Sequence, residues 1–128
     1  MTIAFWCILF VGLLPYAAIG IAKWDKTYLR NNSNPRDWEA KLGGVQARAH
    51  AAHLNTFEAF PLFAASIFVA ALCKSPQSMV DGLAIAFVIT RVLYIGCYVA
   101  NLATLRSLVW MAGLGLCIAQ FVVAAGVR

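Results

Sequence analysis

Long apolar stretches alternate with short polar connections along this chain. The apolar runs lie at 2–22, 46–72, 79–101 and 105–127. The hydrocarbon core of a bilayer is about 30 Å thick, so a spanning helix needs roughly 20 mostly apolar residues. Each run meets that length. The pattern predicts an all-α integral membrane protein, a four-helix bundle forming one domain over residues 1–128. The first run carries no charged residue and contains Pro15, where a membrane helix tolerates a kink. It lacks a basic segment ahead of it and is long enough to span, so it reads as a retained first helix rather than a signal peptide.

The connections carry most of the turn chemistry. The first, KWDKTYLRNNSNPRDWEAKLGG at 23–44, holds Asn34–Pro35, a helix-start signal. A short helix is expected from there through Leu42, ended by Gly43 and Gly44. Trp24, Tyr28 and Trp38 suit the headgroup interface. Lys74, Ser75 and Pro76 mark a tight turn between the second and third spans. No internal repeat or low-complexity tract interrupts the series.

Composition narrows the class. The 128 residues are 62% hydrophobic and 12% charged, with a mean hydropathy of +0.79. A soluble domain of this length leaves too much of its area exposed to hide that apolar surface. The net charge of +5 does not point to nucleic acid, because no basic helix carries interleaved aromatics. Lys23, Lys26, Arg30, Arg36 and Lys41 instead cluster in the first connection, and alternating spans put Arg48 and Arg106 on the same side. The bias toward Lys and Arg places that connection in the cytoplasm and both termini on the opposite side. A short chain without a targeting or retention signal fits a bacterial inner membrane. Cys7, Cys73, Cys97 and Cys117 stand singly, with no metal-like spacing, and read as small packed hydrophobes.

Charge inside the spans is the exception to the apolar pattern. In RAHAAHLNTFEAFP, residues 48–61, Arg48, Asn55 and Glu58 fall within about an 80° arc of one helix. His50 and His53 face the other way, toward headgroups or a neighbouring subunit. Glu58 points away from them, so no metal site is expected. On the third span Arg91, Tyr94 and Tyr98 fall within about 60°, and Arg106 extends that line if the helix continues past Asn101. The antiparallel spans bring Arg48, Asn55, Tyr98 and Arg106 to similar depth, with Glu58 and Arg91 deeper and placed to pair. Two readings stand side by side. The stripes fix helix register through a buried ion pair, or they form a ligand site. A pore is disfavoured, because the outer half of the spans is almost wholly apolar.

Taken together, Arg48, His53-Leu-Asn55-x-x-Glu58-x-x-Pro61, Arg91-x-x-Tyr94-x-x-x-Tyr98 and Arg106 resemble the MAPEG family. These are membrane-associated proteins of eicosanoid and glutathione metabolism. The resemblance covers essentially the whole chain. It implies a homotrimer with sites between subunits near the cytoplasmic face. There glutathione, as cosubstrate, is joined to a hydrophobic electrophile or used in reduction. It further implies that Asn55 and Glu58 contact the glutathione peptide, Glu58 its amine, and that Tyr94 and Tyr98 line the site. Arg91 matches the start of the family's third-helix motif. Arg106 stands nearest the arginine that holds the thiolate, and Arg30 matches a basic residue after the first helix. Where the family pattern has an arginine four residues before the asparagine, this chain has Ala51; Arg48 lies one turn earlier. The alternative function implied is a non-catalytic lipid-binding or scaffold protein of the same fold, embedded in membrane lipid.

Overall fold

The computed structural model describes residues 1–24 and 33–126. Among them are four long helices, each long and apolar enough to cross a membrane, and one short helix. The long helices are α1 (Ile3–Ala22), α3 (Gly44–Leu72), α4 (Gln77–Val99) and α5 (Ala103–Gly126); the short one is α2 (Pro35–Glu39). The protein is an all-α integral membrane protein. Lys26, Tyr28 and Arg30 of the first connection lie outside the described residues.

Helix ends follow from local chemistry. Thr2 caps α1, its hydroxyl accepting from Phe5 N at 3.4 Å. A second orphan donor, Ala4 N, is taken by Asp81 Oδ1 of α4 at 2.7 Å, so a carboxylate stands at the positive end of α1. Pro35 opens α2 at the position where its missing N–H matters least. Asn34 makes no side-chain cap there, and α2 stops at Glu39 rather than Leu42. Residues 40–42 leave the helix through tighter i→i−3 bonds, Lys41 N to Trp38 O and Leu42 N to Glu39 O. Gly44 takes the left-handed φ of +57° that redirects the chain into α3.

Both remaining turns are Schellman closures. At the end of α3, Ser75 N donates to Ala70 O and Lys74 N to Ala71 O, with Lys74 at φ 55°. At the end of α4, Leu102 N donates to Cys97 O and Asn101 N to Tyr98 O, with Asn101 at φ 61°. The third span therefore does not run on to Arg106. That arginine belongs to the next helix.

Packing centres on α3 and α4. Helix α1 packs against both from one side and α5 against both from the other. Small residues permit close approach: Ala4, Ala18, Ala52 and Ala84 are fully buried. In the middle of the bundle Phe63 and Phe87 stack with centroids 4.0 Å apart and planes 10° apart. Large apolar side chains such as Trp6, Leu9 and Leu13 project outward, as expected where the solvent is lipid. Cys7, Cys97 and Cys117 are buried and Cys73 is exposed at the end of α3.

The histidines, expected at headgroups or a neighbouring subunit, make contacts within the chain. His53 Nδ1 donates to Pro15 O of α1 at 2.8 Å, and His50 stacks on His53 at 5.9 Å. Helix α1 continues through Pro15, which supplies a carbonyl contact between helices.

Candidate functional site

Three helices contribute to one cluster at the end of the bundle where α4 passes into α5. Arg91 is its hub. The side chain is 2% exposed, and an ionised group so placed needs several partners. Its Nη2 donates to Asn55 Oδ1 at 3.0 Å and to Thr56 Oγ1 at 3.1 Å. The Thr56 hydroxyl spends its own proton on Ala52 O at 2.8 Å, which leaves a lone pair for the guanidinium. The plane of Arg91 also lies over the Tyr94 ring, 4.2 Å from Cζ to centroid. Arg91 Nε has no hydrogen-bond partner among the described residues.

The expected Glu58–Arg91 pair does not form. Asn55 stands between them, accepting from Arg91 and donating through Nδ2 to Glu58 Oε2 at 3.2 Å. An amide can do both at once, whereas a direct pair would need Glu58 turned inward. Glu58 instead lies exposed on the surface of the chain.

From Arg91 the cluster continues along α4. Tyr94 meets Tyr98 edge to face with centroids 5.6 Å apart. Arg106, arriving on α5, lies over the Tyr98 ring at 4.3 Å. The Schellman turn at Asn101 reverses the chain, yet returns Arg106 to the stripe it was expected to extend. The result is an unbroken series of contacts from Glu58 through Asn55, Arg91, Tyr94 and Tyr98 to Arg106.

Two cavities open on this series. A shallow one of about 440 Å³ is lined by Asn55, Tyr94, Tyr98, Arg106, Ser107 and Trp110. A more enclosed one of about 170 Å³ runs between α3, α4 and α5, from Asn55, Glu58 and Arg91 to Cys117. Asn55 and Trp110 line both.

The structure does not bring every candidate here. Arg48 Nε donates to Val99 O at 3.2 Å, so that guanidinium covers an unpaired carbonyl in the last turn of α4. Among the described residues no group of three or more His, Cys, Asp or Glu is placed to hold a metal. Two participants escaped the sequence reading. Thr56 was hidden beside Asn55, although a hydroxyl facing a buried arginine is a natural acceptor. Trp110 sits one turn beyond Arg106, an i, i+4 relation that places both on one face of α5.

Fold and cluster define the class: a four-span membrane protein with a cationic and aromatic cleft at one end of the bundle. The chain belongs to the MAPEG family, whose family model matches residues 3–126. No curated protein and no solved structure matches it.

Proposed function

We propose that this cleft binds glutathione and joins its thiol to a hydrophobic electrophile arriving from the lipid. The observation that carries the reading is the series from Glu58 to Arg106, which sets an exposed carboxylate at one end and the Arg106 guanidinium at the other, joined through Asn55 and the buried Arg91. Glutathione has one ammonium and two carboxylates, so the signs are complementary.

In this reading Glu58 takes the ammonium and Asn55 the peptide. Tyr94 and Tyr98 form the aromatic wall. Arg106 stands at the thiol. A free thiol with a pKa of about 8.5 is mostly protonated at neutral pH, and a nearby guanidinium favours the thiolate. Addition to an activated double bond then balances without another reactant. The sulfur–carbon bond forms, the π pair moves to the electron-withdrawing group, and the thiol proton ends on carbon. Arg91, almost wholly buried, acts as a positioning residue that aims Asn55. Arg48 acts on the end of α4, and Arg30 is a further cation for the ligand carboxylates.

Glu58 also supports assembly. A carboxylate exposed on a protomer at the depth of a span is costly against lipid. A homotrimer with its sites between subunits covers it. The first connection then faces the cytoplasm of a bacterial inner membrane.

The test is the ultraviolet absorbance of bound thiolate. Arg106→Ala is expected to abolish the thiolate signal and to lower conjugation about 100-fold while glutathione still binds. Undiminished thiolate in that variant contradicts the role of Arg106.

A further inference from the structure

The connection between the first two spans carries polar side chains that neither the bundle nor the cleft uses. Helix α2 is held at the membrane boundary. Lys23, the residue that follows α1, pairs through Nζ with Glu39 Oε1 at 3.2 Å, and α3 begins at Gly44. The end of one span and the start of the next therefore bracket α2, which puts it level with lipid headgroups. Trp24, next to Lys23 in the chain, is 90% exposed, and an indole suits that level.

A polar cavity of about 290 Å³ lies against α2, lined by Ser33, Asn34, Asp37, Trp38 and Lys41. It shares no residue with the cleft or with the cavity beside it. Asp37 and Lys41 are four residues apart, a spacing that brings opposite charges together on a continuous helix. Here α2 ends at Glu39, and Lys41 N bonds to Trp38 O at 3.1 Å in a tighter turn. The helical register between the two is lost, and neither has an ion-pair partner among the described residues. Asn34 makes no side-chain hydrogen bond in capping α2. One carboxylate, one ammonium, an amide and a hydroxyl thus remain available around a single cavity.

We propose that this cavity binds the phosphoethanolamine headgroup of a membrane lipid. A ligand that reaches both Asp37 and Lys41 must carry both signs close together, and phosphoethanolamine does so across two carbons. Its phosphate oxygens accept from Lys41 Nζ and the Ser33 hydroxyl. Its primary ammonium donates to the Asp37 carboxylate and to Asn34 Oδ1. A phosphocholine headgroup has the same two charges, but its quaternary nitrogen has no N–H to donate. A phosphoglycerol headgroup lacks the cation, and Asp37 repels it. The surrounding bilayer supplies the headgroup at high local concentration, so a site of modest affinity is filled.

Native mass spectrometry of the detergent-purified full chain, titrated with single lipids, tests this. Phosphatidylethanolamine is expected to bind about fivefold more tightly than phosphatidylcholine or phosphatidylglycerol of the same acyl chains. Asp37→Asn should remove most of the preference over phosphatidylcholine. Lys41→Ala should weaken phosphatidylethanolamine and phosphatidylcholine alike, by about fivefold. Lys74→Asn, at the other end of the bundle, should change nothing. Both Asp37 and Lys41 are exposed, and circular dichroism with elution volume establishes that each variant is folded. Equal retention of the three lipids overturns the proposal, as does phosphatidylethanolamine binding unchanged in both Asp37→Asn and Lys41→Ala. Displacement of the lipid by an equal concentration of soluble phosphoethanolamine overturns the assignment to a membrane lipid.

Discussion

Arg91 illustrates how one residue organises this protein. A guanidinium 2% exposed inside a membrane bundle is tolerable only because Asn55, Thr56 and the Tyr94 ring receive it. Interhelical hydrogen bonds in membranes average about 0.6 kcal/mol and reach about 1.7, and an ionised donor belongs at the upper end. Asn55→Ala and Arg91→Leu should therefore be coupled. Unfolding in mixed detergent is expected to give a double-mutant interaction energy of about 1 kcal/mol or more, with strict additivity counting against the contact. This part of the site was half legible in the sequence. Helical periodicity put Asn55 and Glu58 on one face, and Arg91, Tyr94 and Tyr98 on another. It did not specify the register between the two helices, and so suggested a Glu58–Arg91 pair where Asn55 actually intervenes. Thr56 and Trp110 were missed for the same reason, because each acquires its role only from a neighbouring helix.

At the scale of elements, side chains from one helix satisfy the ends of another. Asp81 of α4 accepts from Ala4 N at the start of α1, and Arg48 of α3 donates to Val99 O at the end of α4. Each relieves an orphan backbone group and opposes the local end of the helix dipole. Asp81→Ala is expected to lower stability by about 1 kcal/mol and to speed amide exchange in the first turn of α1, leaving α5 unchanged. Uniformly faster exchange throughout the bundle would show that Asp81 does more than cap. The four spanning helices were plain from apolar run length. Their ends were less so. Two depend on left-handed residues, Lys74 and Asn101, that are not glycine. The loss of helix at Glu39 turns on tight local bonds rather than on a breaker residue.

The whole molecule combines an apolar exterior with a charged cleft open on one side. Glu58 is exposed, and the cleft from Asn55 to Arg106 is shallow. The proposed assembly would bury this carboxylate against a second copy of the chain. Native mass spectrometry from mild detergent should therefore show a trimer, and Glu58→Arg should shift it toward monomer. A wild-type chain that stays monomeric at all concentrations would remove the inter-subunit site. Membership of the MAPEG family sets the four-span fold in a family frame, and the proposed chemistry rests on the residues that line the cleft.

The central claim is that the series from Glu58 to Arg106 is a glutathione site. Calorimetric titration of glutathione into the purified full chain tests it most directly. The expected result is saturable binding with a Kd of about 1 mM or tighter, weakened about tenfold or more in both Glu58→Ala and Asn55→Ala. Absence of saturable heat in the folded wild-type protein, or binding unaffected by both substitutions, would contradict it.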